Sequence, residues 1–370
     1  MVIIAEAKTG KIVWQEWLGD PLMSQPAISK GKLYMAHPAG QGKHGINANS
    51  NMPQSGNAAA VQPDLQAPKT SHRLLCADLK TGKHLWEQDI TSDVISAPII
   101  EGDQIYLTCF NGTSYCLAAD TGALAWKKEN SGTSAPVIAD GQVVITQKQS
   151  KNGQSTEGIR RLSLAKGEEK DTVALAESKA DYLRAGAAGN GGIAPVQAQA
   201  LDASVGFAAE PQAAGLGAAT MNANVSSVAQ AWSFQGSKAA YANGQFLNAQ
   251  GNALNCLDAK DGQMRWRGVA KGRDIGDSAQ IFAPPALGAK NLYLCSVRGE
   301  ILSVSQEDGK VGFLYAMKQP MAFQPAISGG NMYIGTNNGL LICLKTGNPD
   351  ADGWTAWGGN AQHNKTQSTK

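Results

Sequence analysis

Ala77-Asp78-Leu79-Lys80-Thr81-Gly82-Lys83-His84-Leu85-Trp86 is the stretch on which the fold turns, because variants of it recur along the chain. Their spacing, about 40 residues, is that of a repeated supersecondary unit. Glu6-Ala7-Lys8-Thr9-Gly10 leads to Trp14, Asp120-Thr121-Gly122 to Trp126, and Asp258-Ala259-Lys260-Asp261-Gly262 to Trp266. Weaker copies stand at Asp308-Gly309, where Phe313 replaces the tryptophan, and at Leu344-Lys345-Thr346-Gly347. A second motif alternates with the first: Ser24-Gln25-Pro26-Ala27-Ile28, Ser96-Ala97-Pro98-Ile99-Ile100, Ser134-Ala135-Pro136-Val137-Ile138, Phe282-Ala283-Pro284-Pro285-Ala286 and Phe323-Gln324-Pro325-Ala326-Ile327. Phe234-Gln235-Gly236-Ser237 is a sixth copy without its proline, so six units are countable.

One unit reads as four short antiparallel strands. An apolar run after the proline meets the Glu101-Gly102-Asp103 turn, an alternating strand from Ile105, an Asn111-Gly112 hairpin, a third strand ending at Leu117, and a fourth carrying Trp126. Asn-Gly between alternating runs is a strong hairpin signal, and glycine supplies the positive φ that the Thr-Gly turn requires. A four-stranded unit repeated radially is a propeller blade. The expectation is an all-β fold, a β-propeller of four-stranded antiparallel blades. In it Gly82, Gly122 and Gly262 make turns, while Asp78, Asp120, Asp258 and Asp308 cap those turns through backbone N–H groups. Trp14, Trp86, Trp126 and Trp266 lie between neighbouring blades, where truncation to alanine costs about 3–5 kcal/mol.

The Ala-x-x-x-Thr-Gly-x-x-x-Trp recurrence resembles the blade motif of pyrroloquinoline-quinone-like propellers over nearly the whole chain, from Val2 to Gly347. That family holds both quinone-dependent alcohol dehydrogenases and non-enzymatic outer-membrane assembly scaffolds, so the resemblance speaks to fold more than to function. It also implies a periplasmic or cell-surface location. No basic, long apolar signal segment is visible at the N-terminus, and free cysteines fit a cytoplasmic location equally.

The 370 residues read as one propeller domain, 1–347, with loop insertions at about 37–72 and 167–227 and a tail, 348–370, lying across the propeller. Lys170–Arg184 is expected as a short helix inside the second insertion. The tail is expected to bury Trp354 and Trp357 and leave its polar end exposed. Because the first motif copy opens at a third strand, two readings stand. Either Lys11–Trp17 supplies the outer strand of the blade Phe323–Leu344 and closes six blades, or the ring has seven or eight. A net charge of +2 with no basic stripe argues against a nucleic-acid partner, and no apolar run reaches the roughly 18 residues of a membrane span.

The six cysteines occupy repeat positions, Cys76, Cys116, Cys256 and Cys343 on third strands and Cys109 and Cys295 on second strands. Equivalent positions in separate blades stay apart, which predicts free buried thiols; hairpin registry places Cys109 opposite Ser114. His37, His44 and His72, all in the first insertion, show no zinc-ligand spacing.

Catalytic patterns are missing from the sequence. Gly-x-Ser-x-Gly, His-Glu-x-x-His, a phosphate-cradling Gly-x-x-x-x-Gly-Lys and Cys-x-x-Cys-His do not occur. A quinone-dependent member would, by the resemblance, carry an adjacent cysteine pair and calcium-binding Glu, Asn and Asp oxygens; the chain has no Cys-Cys. The residue before each proline position is Gln25, Ala97, Ala135, Gln235, Ala283 and Gln324, which gives a neutral channel mouth with Gln25, Gln235 and Gln324 as candidate contacts to a peptide or small polar ligand. The leading expectation is a non-catalytic scaffold that binds protein partners and needs no cofactor. The alternatives are a pyrroloquinoline-quinone and calcium-dependent alcohol or sugar dehydrogenase, or the sensor segment of a longer polypeptide.

Overall fold

The computed structural model describes residues 1–18, 24–39, 70–95, 97–151, 154–178, 238–250, 253–269, 282–296, 299–317, 321, 324–336 and 339–367. All regular elements among them are strands, and no helix is long and apolar enough to cross a membrane. A two-stranded half-sheet, β1 (Val2–Ala5) and β2 (Ile12–Glu16), comes first. Blade 1 is β3 (Ala27–Ser29), β4 (Lys32–Pro38), β5 (His72–Asp78) and β6 (His84–Ile90). Blade 2 is β7 (Ile99–Glu101), β8 (Gln104–Thr108), β9 (Ser114–Ala118) and β10 (Leu124–Lys128). Blade 3 is β11 (Val137–Ala139), β12 (Gln142–Lys151), β13 (Gln154–Ser163) and β14 (Glu169–Ser178). Blade 4 is β15 (Ala240–Ala242), β16 (Gln245–Gln250), β17 (Ala253–Asp258) and β18 (Met264–Val269). Blade 5 is β19 (Ala286–Leu287), β20 (Asn291–Cys295), β21 (Glu300–Ser305) and β22 (Val311–Ala316). Blade 6 has three strands, β23 (Ala326–Ser328), β24 (Asn331–Gly335) and β25 (Leu341–Lys345). Within each blade successive strands pair antiparallel, the meander expected of a propeller.

The core is divided into layers between blades. Val2 and Leu18 pack with Leu33 and Leu75 of blade 1, Tyr34 and Leu74 of blade 1 with Ile105 and Leu117 of blade 2, and Tyr106 of blade 2 with Ile145 and Leu162 of blade 3. Val144 and Ile159 of blade 3 meet Phe246 and Leu257 of blade 4, and a last cluster joins Leu247 of blade 4 to Leu292 of blade 5 and Ile327 of blade 6.

Each repeat tryptophan locks one of these layers, and it does so on the next blade's turn. Trp14 Nε1 donates to Leu79 O (2.8 Å), Trp86 to Ala119 O (3.1 Å), Trp126 to Leu164 O (2.8 Å) and Trp266 to Gln306 O (3.1 Å). The accepting carbonyl always lies three residues before a turn glycine: Gly82, Gly122, Gly167 or Gly309. Those glycines sit at φ of 64–72°, and a Cβ on them would come within 2.5–2.9 Å of the tryptophan ring. Glycine is therefore required twice, for the left-handed backbone and for the indole that covers it. Asp78 caps its turn as expected, its Oδ1 accepting from Lys80 N, Thr81 N and Thr81 Oγ1; the Thr81 hydroxyl above all holds this carboxyl below its ordinary range. Asp258 caps through Lys260 N (2.8 Å), and Gly262 has φ of 74°. Asp120 does not cap: it sits two residues before Gly122, not four, and takes the Lys32 ammonium of blade 1 at 2.6 Å. In blade 5 Ser305 stands four residues before Gly309, its Oγ accepting from Glu307 N and Asp308 N, and Asp308 also caps the turn, its Oδ1 accepting from Lys310 N (3.1 Å).

Between blades 3 and 4 the tryptophan position, four residues after Gly167, is Asp171. Here Arg161, opposite Asp171 on β13 and only 6 % exposed, delivers the donor instead. Its Nη1 bonds Ala259 O (3.0 Å) and Lys260 O (3.3 Å), while Nε bonds Asp171 Oδ1 (2.6 Å). Ala259 stands three residues before Gly262, so an ion pair reaches the same carbonyl that an indole reaches elsewhere. Because Asp171 is partly solvated, Asp171→Asn is expected to lower stability by about 1 kcal/mol and to reduce its salt dependence, measured by urea denaturation at two ionic strengths.

Four expectations are corrected. Lys170–Arg184 is not helical through Ser178, because Glu169–Ser178 pairs along β13 as the fourth strand of blade 3; the rest lies outside the described residues. β2 does not complete blade 6, since among the described residues it pairs with β1 alone, and β25 with β24 alone. Thr108, not Cys109, faces Ser114, because Cys109 enters the turn and its N–H bonds Thr113 O. Finally, all six cysteines are free but Cys343 is exposed, on the uncovered face of blade 6 that also leaves Leu341 79 % exposed. Burial pushes the Cys109 and Cys295 thiols up to about 12. One thiol is therefore expected to react promptly with Ellman's reagent in the native protein and six after denaturation.

Candidate functional site

In a propeller the first strand of each blade is an edge strand, and its outward N–H groups need partners. The segment Asp350–Thr366 supplies them in blade order. Asp350 O accepts from Ala289 N just past β19 (3.1 Å), and Trp354 exchanges both backbone bonds with Ile327 of β23. Ala361 O then accepts from Ile28 N of β3 (2.8 Å), Gln362 O from Ile100 N of β7 (3.0 Å), and Asn364 Oδ1 from Ile138 N of β11 (2.9 Å). Last, β26 (Thr366–Gln367) runs parallel to β15, pairing Thr366 with Tyr241. Six inner strands converging on one short segment places that segment at the centre of the ring. Ile28, Ile100, Ile138, Tyr241 and Ile327 are each the middle residue of their strand, and in all but Tyr241 the contact point is the isoleucine of a Pro-x-Ile element of the second motif.

Burial of the tail reaches into its polar end as far as Asn364, while Thr366 is exposed and 368–370 lie outside the described residues. Trp354 is 2 % exposed and Trp357 half-buried, but His363 and Asn364 are also buried, against the expectation of an exposed polar end. The reason is a set of side-chain bonds that replaces water: Asn364 Nδ2 donates to Ile138 O and Glu101 Oε2 (both 2.9 Å), and the His363 ring nitrogens face Trp357 O (2.7 Å) and Pro26 O (3.1 Å). Burial holds His363 below its ordinary pKa, and the Lys238 charge adds to this. Lys238, just before β15, is itself 7 % exposed with its Nζ 5.8 Å from the centre of the Trp357 ring. Desolvation pushes its pKa down to about 7.

The three glutamines of the expected channel mouth do not form one open set among the described residues. Gln324 is committed to the protein itself, its Nε2 donating to Pro285 O (2.6 Å) and its Oε1 accepting from Gly358 N (2.9 Å). Gln25 is exposed, and Gln235 lies outside the described residues. His37 is buried on β4 with Nδ1 against Pro38 O, His72 stands on β5 beside Ser71, and His44 lies outside the described residues. Among the described residues no three His, Cys, Asp or Glu side chains stand together as a cation site. The contacts made by Lys238, His363 and Asn364 were missed from sequence alone; the signal was the run of hydrogen-bonding side chains after Trp357.

Comparison with known proteins follows the same lines. A family model described as outer membrane protein assembly factor BamB matches residues 3–190 and 215–358. The assembly factor BamB of Xanthomonas campestris pv. campestris is 30 % identical over 78 residues, which cover 18 % of this chain and 19 % of that protein. The crystal structure of BamB from Moraxella catarrhalis is matched over 93 % of this chain and 96 % of that one at 12 % identity and a TM-score of 0.49. A quinohemoprotein alcohol dehydrogenase of Pseudomonas putida HK5 is matched over 85 % of this chain and 50 % of its own at 12 % identity and a TM-score of 0.45. With the family model spanning both ends of the repeat array, and with blades and clasps built as described, this chain belongs to the BamB family of PQQ-like β-propellers.

Proposed function

We propose that the chain is a non-catalytic scaffold that holds protein partners of an outer-membrane assembly machinery on the periplasmic side. The observation that supports this reading most is the filled axis, where the inner-strand N–H groups of the blades are bonded to the tail. Family membership agrees with it. Flat quinone chemistry would call for an open chamber with oxygen ligands for calcium. The described residues at the axis do not fit that group, since Gln324, His363 and Asn364 all bond neighbouring protein groups. Partner binding through strand edges would add main-chain hydrogen bonds, β25 being one edge without a second neighbour among the described residues.

In-cell crosslinking followed by purification of the tagged chain is expected to recover a discrete complex containing envelope proteins. Recovery of the chain alone would overturn the scaffold reading. Addition of pyrroloquinoline quinone and calcium to the pure protein is expected to leave its melting temperature unchanged and to yield no dye-linked alcohol oxidation; a clear gain of either would favour the dehydrogenase alternative.

A further inference from the structure

We infer that the ring axis is a binding site for an extended peptide, and that residues 348–367 are its resident ligand, an intrachain occupant that a second copy of the same segment can replace. This goes beyond the scaffold reading and does not depend on it.

Three observations carry the inference. First, recognition is mostly through the ligand's carbonyls, from Asp350, Trp354, Ala361 and Gln362, and at its end the segment adds β26 to the open edge of blade 4, as when a peptide is read by sheet edges. Second, three of the five inter-blade clusters contain no residue of the segment, so the layers from the half-sheet to blade 2 and from blade 3 to blade 4 are complete without it. Third, the segment carries its own specificity elements. Trp354 enters the cluster of blades 4 to 6, and Asn364 makes three bonds that span blades 2 and 3. Gly358 and Gly359 hold φ of 69° and 91° where a Cβ would strike His363 O at 2.4 Å or the Trp354 ring at 2.8 Å. The peptide that fits therefore has a tryptophan, a Gly-Gly bend and an asparagine in the order of Trp354, Gly358-Gly359 and Asn364, with a largely backbone-read remainder.

The test uses the full chain with a protease site introduced between Gly347 and Asn348. After cleavage, native mass spectrometry is expected to find the segment still bound, and an excess of isotopically heavy peptide 348–370 to exchange into the complex. The same peptide with Asn364→Ala should compete about a hundredfold less well, the loss of three hydrogen bonds of roughly 1 kcal/mol net each, and a scrambled peptide not at all. The inference is overturned if the segment leaves while the ring stays folded, or if it never exchanges. Loss of the far-UV circular dichroism signal on cleavage would also overturn it, since the segment would then be part of the core. Should the inserted site prevent folding, hydrogen exchange on the uncut chain decides. Asn364→Ala is expected to speed exchange at Ile100 and Ile138 while leaving amides of β8 and β12 unchanged, and a uniform change or no change would overturn the inference.

Discussion

Gly122→Ala is expected to destabilise the protein by about 2–5 kcal/mol, although it adds a single methyl group to a turn. Two costs combine. At φ of 71° an alanine pays the left-handed penalty of about 1–2 kcal/mol. Its Cβ also falls 2.6 Å from Trp86 Cε3, which must move out of the contact with Tyr34 and off its hydrogen bond to Ala119 O, an overpacking cost of about 1–3 kcal/mol. Gly102→Ala separates the two terms, because Gly102 has φ of 60° but a methyl group added there would meet nothing within 4 Å. Urea denaturation should give Gly102→Ala the backbone cost alone and Gly122→Ala a distinctly larger loss. Trp86→Ala in the Gly122→Ala background should cost less than the two changes summed, since each removes the same contact. Equal losses for the two glycine variants would mean that the indole yields freely and that the clasp contributes little.

The clasp also shows where local sequence is informative and where it stops. Trp86, Gly82 and Asp78 each announce their role, inter-blade packing, turn and cap, because each role is set by a residue's own chemistry within a few positions. That Trp86 needs Gly122 rather than Gly82 is a relation between blades, and only the ring reveals it. Arg161 and Asp171 could have been noticed as a pair only after the missing tryptophan at position 171 was recognised as a gap in the series of clasps. Lys170–Ser178 reads as a helix former in isolation, yet the unpaired edge of β13 offers main-chain bonds that outweigh a weak propensity. The tail was hardest to read. Its contacts are largely through carbonyls, which every residue possesses, and its few specific groups, His363 and Asn364, look like the polar end of any solvated terminus.

Lys238→Met is expected to stabilise the protein near neutral pH by about 2–4 kcal/mol, the largest gain expected from one substitution at the axis. The ammonium is shielded from water and lies over the Trp357 ring, its charge is felt by His363, and burial depresses its pKa from 10.5 to about 7. With about 1.4 kcal/mol for each tenfold change in acidity, that depression corresponds to a cost of about 4–5 kcal/mol when the group is charged in both states, of which the variant recovers a part once the lost cation–π contact of about 0.5–2 kcal/mol is set against it. The sign follows from proton binding. Between about pH 7 and pH 10.5 the unfolded chain holds a proton on Lys238 that the folded chain has released, so wild-type stability climbs with pH across that window through this group. Below pH 7 the lysine is protonated in both states and the full cost is present. The methionine variant lacks this slope, so the two stability curves should lie furthest apart at pH 6 and converge toward pH 10.5. Chemical denaturation across that range measures the difference directly. Parallel curves would mean that Lys238 reaches water or an acidic group in solution, and that the axis near Trp357 is wetter than its burial implies.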